Sequence, residues 1–345
     1  MEDSALFAYS QCNQCPRKCG VNRVVSNNPK KNETFAKGFC KESSNLRLAS
    51  ACLHFGEEPL ITVQNGSGTI FVSGCTLRCA FCQNYQISQQ GVGQAVDSKT
   101  FSDICLCLQK KGAENINIVT GSHHIPLIAE SLKMAKNAGL SIPVAWNSSA
   151  YESVESLELL RGLVDIWLPD LKTLNPIMSE ELFAAKDYPT VAKRAIRWML
   201  NANQMEIRMV NTKSGKKEKM FSGTIIRHLF LPGRFEDTTL TLNWLKKYAD
   251  SKACISLMSQ YTPVPFCEEE NLLKKRNSSL KAFQNRLVNA EEDKKLRNAI
   301  NEYDFSYLFY QDLSDDTSWL PDFNRTQPFS NELAVPVWHW TCGFV

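Results

Sequence analysis

Three cysteines with the spacing C-x₃-C-x₂-C lie on one short loop that follows an apolar run. They are Cys75, Cys79 and Cys82, and the run before them is TIFVS (69–73). Structural zinc takes four protein ligands and catalytic zinc usually includes histidine, but this loop contains no histidine. A cubane iron–sulfur cluster fits better, because three thiolates can hold three of its irons and leave the fourth iron open. Phe81, directly before the last cysteine, is placed to shield such a cluster from water.

A second group of cysteines near the N-terminus also has the spacing of a metal site. It consists of Cys12, Cys15, Cys19 and Cys40. Four thiolates in a loop-rich segment can close a tetrahedral zinc site or hold a second iron–sulfur cluster. The site would then be a structural staple for residues 1–45, an electron relay to the other cysteines, or a contact for substrate. Asn22 and Arg23 are candidates to cap or neutralise these thiolates.

Composition and charge restrict the class of protein further. The chain has 345 residues and a formal net charge of +3, spread along its length, so charge gives no case for nucleic-acid binding. The first residues lack the pattern of a secretory signal, and no apolar run is long enough to cross a bilayer. In that context thirteen cysteines indicate metal binding rather than disulfides. We therefore expect a protein of a reducing, cytoplasmic interior, without a membrane partner.

Six short apolar runs alternate with helical stretches along the middle of the chain. Near-continuous apolar runs suit strands that are buried on both faces of a parallel sheet. The pattern predicts an α/β fold whose sheet is open or curled into a partial barrel. The predicted strands are 69–73, 115–120, 142–147, 165–170, 224–231 and 255–261.

The chain divides into three parts on these patterns. Residues 1–60 are the cysteine-rich, metal-binding segment, residues 61–270 form the barrel, and residues 271–345 form a helix and an irregular, aromatic-rich extension that packs on the barrel. Two polar or basic stretches and one amphipathic stretch complete the interpretation. We predict exposed loops at 25–38 and 211–223, and one long helix at 279–303.

Several stretches of the chain, taken in order, carry a resemblance to a known family. They are CNQCPRKCGVNR, HFGEEPLI, GSGTIFVSGCTLRCAFCQNYQIS, NINIVTGSHHIP, VDIWLPDLK, IIRHLFLPG and ISLMSQYTP. The motif C-x₃-C-x-aromatic-C after a first strand resembles the radical S-adenosylmethionine (SAM) enzymes. The wider set is similar to their subfamily related to pyruvate formate-lyase activating enzyme, and the resemblance covers residues 12–265.

This resemblance implies a partial (β/α)₆ barrel in which Cys75, Cys79 and Cys82 bind a [4Fe–4S] cluster. It implies that SAM chelates the open iron through its amino and carboxylate groups. One electron then cleaves SAM to methionine and a 5′-deoxyadenosyl radical, which abstracts hydrogen from a substrate. The electron donor would be a protein such as flavodoxin or ferredoxin. The cofactor supplies the difficult chemistry, while the protein supplies orientation and excludes water.

Polar residues at the strand ends are the candidates for SAM contacts. Enzymes of the resembled family usually have a Gly-Gly-Glu-like turn after the second strand, but this chain has no carboxylate there. Arg227 lies inside an apolar strand and needs an anion, for which the SAM carboxylate is a natural choice. His228 faces the other way if the strand alternates. The expected cofactor-binding residues are Gly121, Ser122, His123, Asn147, Asp170, Lys172 and Arg227, with Ser148, Gln260 and Tyr261 as further candidates.

Three functions remain open from the sequence. The first is an activase that removes a glycine hydrogen from a partner protein, which the resemblance alone suggests. The second is a radical SAM enzyme that modifies another peptide, an RNA or a metabolite. The third is a non-catalytic, zinc-binding interaction protein, which would bind zinc at both cysteine groups and would not cleave SAM.

Overall fold

A mostly parallel sheet forms the centre of the computed structural model, which describes residues 7–25, 38–314 and 319–345. Within these residues twelve strands join in the order β10-β9-β8-β6-β5-β4-β2-β1-β11-β12, while β3 pairs with β1 and β7 with β8. The strands are β1 Arg47–His54, β2 Ser67–Val72, β3 Gln94–Ala95, β4 Ile116–Val119, β5 Val144–Ser148, β6 Ile166–Pro169, β7 Glu206–Thr212, β8 Gly215–Leu229, β9 Cys254–Met258, β10 Leu308–Gln311, β11 Ala334–His339 and β12 Gly343–Phe344.

Helices connect the parallel strands. They are α1 Tyr85–Ser88, α2 Ser98–Lys110, α3 Ile125–Asn137, α4 Val154–Glu158, α5 Pro176–Phe183, α6 Tyr188–Ala202, α7 Phe235–Tyr248, α8 Glu270–Leu280 and α9 Ala290–Tyr303. Their starts follow local capping chemistry: Asp97 accepts a hydrogen bond from the backbone of Thr100 before α2, and Asn175 caps α5 in the same way. None of the helices in the described part of the chain is long and apolar enough to cross a membrane.

The predicted α/β partial barrel is confirmed. All six predicted strands are present as β2, β4, β5, β6, β8 and β9, and in this order each is parallel to the next. Every residue of β4, β5 and β6 is buried, as the continuous apolar runs require. The sheet stays open in the described part of the chain, because the strands at its two ends, β10 and β12, do not pair with each other.

Both chain ends extend the sheet beyond the six predicted strands. Strand β1 lies antiparallel between β2 and β11, although the division at residue 60 places it in the cysteine-rich segment. At the other edge β10 adds a seventh parallel strand beside β9. The C-terminal extension therefore does more than cover the barrel, since it supplies strands at both edges of the sheet.

Two predicted elements differ from the structure. The basic stretch 211–223 belongs to the β7–β8 hairpin, in which backbone pairing is satisfied although most side chains are exposed. The predicted helix 279–303 is broken between α8 and α9, because Phe283 and Val288 turn into the core and the Gln284 backbone bonds to Pro232. Asn289 and Glu292 then form a capping box that starts α9. Most of the predicted loop 25–38 lies outside the described residues.

The loop that follows β1 enters the concave side of the sheet. Its residue Ile61 packs against inward-facing side chains of β5, β6, β8 and β9. The Glu114 carboxylate accepts hydrogen bonds from the backbone of residues 63–65, and the Asn115 amide donates to the Ile61 carbonyl at 2.7 Å. The loop is therefore held firmly and closes the lower end of the barrel.

Candidate functional site

A cavity of about 520 Å³ opens at the carboxyl ends of the parallel strands. Ligands of open α/β sheets bind at this edge, because the loops there connect strands to helices and leave a crevice. The cavity reaches from the three-cysteine loop at one wall to the loop after β1 at the other. The residues on its charged and polar side are Asn147, Ser148, Asp170, Lys172, Arg227, Gln260 and Tyr261, all of which the sequence singled out.

The three-cysteine loop leaves the end of β2 through a tight turn at Gly74, whose φ is +82°. A Cβ there would meet the Glu42 side chain and lie 2.8 Å from His123 Nε2, so only glycine fits. The backbone N–H groups of Leu77 and Arg78 then point at the Cys75 sulfur, at 3.3 and 3.4 Å. The turn therefore wraps amide donors around a sulfur, which is an arrangement that suits a thiolate.

All three predicted cluster cysteines line the cavity. Cys75 and Cys79 are buried, while Cys82 is half-buried and lies 3.3 Å from the Ser88 hydroxyl. Burial raises the pKa of the Cys75 and Cys79 thiols, so free thiols here keep their protons until a metal displaces them. Among the residues that the structure describes, no further cysteine lines this cavity, so these three thiols fit a cubane with one open iron.

Phe81 lies where a shield for the cluster is expected. Its ring makes edge contacts with Phe183, Tyr261 and Phe283, at centroid distances of 6.0, 6.3 and 6.0 Å. These rings form an apolar wall beside the cysteines. Such a wall excludes water from a neighbouring charged group and strengthens electrostatic interactions there.

A network of charged side chains occupies the middle of the cavity. Asp170 accepts hydrogen bonds from Arg227 and from the Lys172 ammonium, each at 2.8 Å. The Arg227 guanidinium also donates to the Asn147 side-chain oxygen. Burial alone would raise the pKa of Asp170, but the two cations hold it below its usual value. The network is therefore ionised at neutral pH, and Arg227 spends its donors on protein acceptors.

Of the two cations that line the cavity, Lys172 is the one that interacts with the cysteine loop. Burial disfavours its charge, but Asp170 and the Cys79 sulfur together raise its pKa above the usual value. Lys172 in turn lowers the pKa of the Cys79 thiol, although burial has the larger, opposite effect. The geometry therefore places a fixed positive charge between the cysteine loop and the polar strand ends.

The turn after β4 does not face the cavity as predicted. Gly121 is required because a Cβ would lie 2.6 Å from the Trp146 ring, which is a packing constraint and not an approach to a ligand. Ser122 is buried and donates to the Glu152 carboxylate, and the His123 ring lies 2.7 Å from the Ser73 carbonyl. Thr120, with φ of +65°, is the residue of this turn that lines the cavity.

The expected alternation along β8 is observed. His228 is buried on the opposite face from Arg227, where its ring nitrogens lie 2.7 Å from the Leu171 carbonyl and 3.0 Å from the Thr238 hydroxyl. Burial lowers its pKa to about 4, so the ring is neutral at pH 7. His228 therefore has a structural role and lies outside the site.

Two carboxyl groups in the cavity were missed at the sequence level. Glu57 and Glu58 come from the loop after β1 and line the same cavity as the cysteines. Glu58 Oε1 lies 3.9 Å from the Arg227 guanidinium. The stretch HFGEEPLI contributed to the family resemblance, and its paired acids between apolar residues were the signal that could have marked them.

The N-terminal cysteines gather behind the three-cysteine loop. Burial is the main cause that raises the pKa of Cys15 to about 12, and the thiols of Cys40, Cys12 and Cys19 act in the same direction. The Cys40 carbonyl approaches Gly74, where a Cβ would lie 3.2 Å from it. The two cysteine groups are thus separated by little more than the turn that begins the first loop.

Arg23 fulfils its expected role beside these thiols. It is 1% exposed and donates to the Cys12 sulfur at 3.4 Å. It also donates to the carbonyls of Glu42, Ser43 and His123, at 3.0, 2.7 and 3.0 Å. Arg23 therefore joins the N-terminal segment to the end of β4 through buried hydrogen bonds.

Asn22 shows no comparable contact with sulfur, since its side chain accepts from the backbone of Val24 at 3.0 Å. Within the described ranges, no three His, Cys, Asp or Glu side chains converge as they would around a single metal ion. Zinc or a second cluster at the N-terminal cysteines therefore stays a prediction.

An open parallel α/β barrel carries three thiols and a charged network at its carboxyl edge. Comparison with known sequences agrees. The model of the radical SAM superfamily matches residues 69–214. The uncharacterized protein MJ0674 of Methanocaldococcus jannaschii is 30% identical over an alignment of 267 residues that covers 74% of this chain and 67% of that protein. The chain belongs to the radical SAM superfamily.

Solved structures with a similar arrangement are more distant. SuiB of Streptococcus suis bound to S-adenosylmethionine has a TM-score of 0.44 and 13% identity over 69% of this chain. This chain spans 48% of SuiB, about half its length. Methylornithine synthase (PylB) has a TM-score of 0.41 and 13% identity, with 70% of each chain covered.

Proposed function

We propose that this protein is a radical SAM enzyme in which Cys75, Cys79 and Cys82 hold a [4Fe–4S] cluster and the cavity binds SAM. When bound, the cluster supplies one electron that cleaves SAM to methionine and a 5′-deoxyadenosyl radical, which abstracts hydrogen from substrate. One observation carries this proposal above the others. All three thiols of the motif line the same cavity as the charged network of Asp170, Lys172 and Arg227.

The side chains of the cavity have distinct roles in this proposal. Lys172, the cavity-lining cation that interacts with Cys79, binds the SAM carboxylate. Arg227 acts mainly by holding Asp170 and Asn147 in place, because its donors already point at those residues. Asn147 and Ser148 then face the ribose hydroxyls. Gly121, Ser122 and His123 support the turn from behind, and Thr120 presents its own polar atoms to the ligand.

Anaerobic reconstitution tests the proposal directly. Protein reconstituted with iron and sulfide and reduced with dithionite should convert SAM to 5′-deoxyadenosine, measured by chromatography. Cys107→Ala is a matched control, since Cys107 is a half-buried cysteine of α2 and does not line the cavity. If reconstitution yields protein that holds only zinc and forms no 5′-deoxyadenosine, the proposal is contradicted and a non-catalytic interaction protein is favoured.

The finer assignment is an activase for a glycyl radical enzyme, as in the subfamily that the sequence resembles. It predicts that the reduced protein with SAM generates a glycyl signal in a partner protein, which electron paramagnetic resonance detects. Deoxyadenosine formation without any glycyl signal would instead support action on another peptide, an RNA or a metabolite. We expect the reductant to be flavodoxin or ferredoxin and the location to be the cytoplasm.

We infer that the N-terminal cysteines also bind metal, either zinc or a second iron–sulfur cluster. The spacing of Cys12, Cys15, Cys19 and Cys40, the burial of three of them and the hydrogen bond from Arg23 to the Cys12 sulfur support this inference. Iron, sulfide and zinc analysis of anaerobic protein distinguishes the two metals. Four irons per chain together with one zinc would assign zinc here, while about eight irons would assign a second cluster. A Cys15→Ala variant that loses no metal would contradict the inference.

A further inference from the structure

The lower wall of the cavity carries two carboxyl groups to which SAM binding assigns no role. Glu57 and Glu58 project from the loop after β1, and both line the cavity. Glu58 is 3% exposed, and its Oε2 atom has no hydrogen-bond partner in the described protein. A buried carboxylate oxygen without a partner is costly, so this atom indicates a donor that comes from a ligand.

The balance of charge around these groups is negative. Among the described residues that line the cavity, the acids are Glu57, Glu58 and Asp170, while the bases other than histidine are Lys172 and Arg227. Asp170 already takes a hydrogen bond from both bases at 2.8 Å, whereas Glu58 lies 3.9 Å from Arg227. The two glutamates therefore share one cation that is committed elsewhere.

Histidine does not correct this balance. His54 Nδ1 lies 3.6 Å from Glu57 Oε1, which is too long for a hydrogen bond. Burial lowers the pKa of His54 to about 4, so its ring is neutral at pH 7. Burial also raises the pKa of both Glu57 and Glu58, and a neighbouring cation would favour their ionised forms.

The loop that carries the two carboxyl groups is held in position before any ligand binds. The Glu114 carboxylate accepts from the backbone of Val63, Gln64 and Asn65, and it pairs with Lys219 at 2.8 Å. Ile61 is fully buried in the barrel interior just beyond the two glutamates. A preorganised pair of acids costs little to order on binding, so it can contribute its full attraction to a ligand.

The neighbouring wall is apolar. Phe71, Ile87, Phe329 and Leu333 line the same cavity, and Phe329 packs against His54 at 5.0 Å between ring centroids. An aliphatic stem can lie along this wall while a cationic head reaches the acids. From these contacts we propose that Glu57 and Glu58 bind the ammonium or guanidinium group at the end of an aliphatic chain of the substrate. This inference rests on the proposed function and names the substrate class of the same site.

Calorimetric titration of cluster-loaded protein with n-hexylammonium and with 1-hexanol, which differ mainly in the charged head, tests the proposal. The cation should bind about tenfold more tightly or better, the scale of one charge-assisted hydrogen bond. The preference should disappear in Glu57→Gln/Glu58→Gln and persist in Glu236→Gln, a control that removes an exposed acid of α7. Equal affinities in the wild type, or an unchanged preference in the double variant, would overturn the proposal.

The double variant must be shown to fold, so its thermal unfolding and its cluster absorbance are compared with the wild type. If it does not fold, the single variant Glu57→Gln serves, because Glu57 is the less buried of the two and should lose part of the preference. A single variant that folds and keeps the full preference would count against the assignment of Glu57.

A competition experiment separates the substrate from SAM, which has its own ammonium group. The affinity for n-hexylammonium should change by no more than about twofold when SAM is saturating, because the two sites differ and their coupling free energy is small. Full displacement would assign the carboxylates to SAM. If the protein forms 5′-deoxyadenosine but binds both probes equally, the inference fails while the proposed function stands. If the protein prefers the cation but does not cleave SAM, the proposed function fails while the cation-binding role of the two glutamates stands.

Discussion

The two cysteine groups lie on either side of the Gly74 turn, yet their surroundings differ. The sulfurs of Cys75, Cys79 and Cys82 line a cavity that also holds a lysine and a carboxylate. The N-terminal thiols lie away from that cavity, and Arg23 anchors their segment through buried bonds. Three thiols beside a cavity suit a cluster that must meet a ligand, whereas four thiols, of which Cys12, Cys15 and Cys40 are buried, suit a closed site. Spacing along the chain suggests this difference, and the surroundings explain it.

The largest effect should come from removing one thiol of the group Cys75, Cys79 and Cys82. Cys79→Ala leaves the proposed cluster with two thiolates, so formation of 5′-deoxyadenosine should fall to background. The fold should persist, because the loop lies at the edge of the core; circular dichroism and thermal unfolding check this. Cys107→Ala, on the outer helix α2, should cleave SAM like the wild type. Retained cleavage by Cys79→Ala would remove this residue from the set of ligands.

Among substitutions near the N-terminal cysteines, Arg23→Met should cause the largest loss of protein stability. The substitution leaves three buried carbonyls and the Cys12 sulfur without their donor, so the free energy of unfolding should fall by about 3–5 kcal/mol. Urea unfolding of the metal-free protein measures this without interference from the metal. Arg161→Met is the control, because Arg161 pairs with Glu158 at the surface, where ion pairs contribute little. A similar small loss in both variants would show that Arg23 does not anchor the segment.

The sequence predicted the parallel sheet and the three-cysteine loop, because apolar runs and ligand spacing are local patterns. It did not predict that Arg227 would be satisfied by Asp170 and Asn147, since that depends on which strands become neighbours. The misplacement of Ser122 and His123 has a related cause. A turn that follows a strand can point either into the cavity or behind it, and the position of Thr120 at positive φ decides this. Glu58 was missed because its loop folds back into the barrel interior.

His123, which lies between the two cysteine groups, provides a test whose expected effect on stability is of intermediate size. Burial, with a smaller contribution from the Arg23 charge, lowers the pKa of His123 to about 3. Because the unfolded chain has the higher pKa, near 6.5, it binds the proton more readily, and acid favours unfolding. The stability from the neutral ring is complete above pH 6.5 and is lost as the pH falls toward 3, by about 2 kcal/mol at pH 5.

The measurement compares wild type with His123→Gln by urea unfolding at pH 7.5 and at pH 5. The variant cannot gain a proton at this position, so its stability should fall less between the two pH values. The bond from the Arg23 guanidinium to the residue 123 carbonyl is backbone-directed and should survive the change. Parallel losses in the two proteins would mean that the His123 ring already takes a proton in the folded state.

The smallest expected effect distinguishes the roles of the two cavity-lining cations, Lys172 and Arg227. Lys172→Met should weaken SAM binding by about tenfold, the loss of one charge-assisted contact, because Lys172 lies next to Cys79 and can reach a ligand carboxylate. Arg227→Met should weaken it less, since its donors serve Asp170 and Asn147 and act on SAM only by positioning them. Equilibrium dialysis of SAM with cluster-loaded protein measures both. If Arg227→Met costs more than Lys172→Met, the guanidinium must exchange its protein partners for the ligand, and the roles of the two cations are reversed.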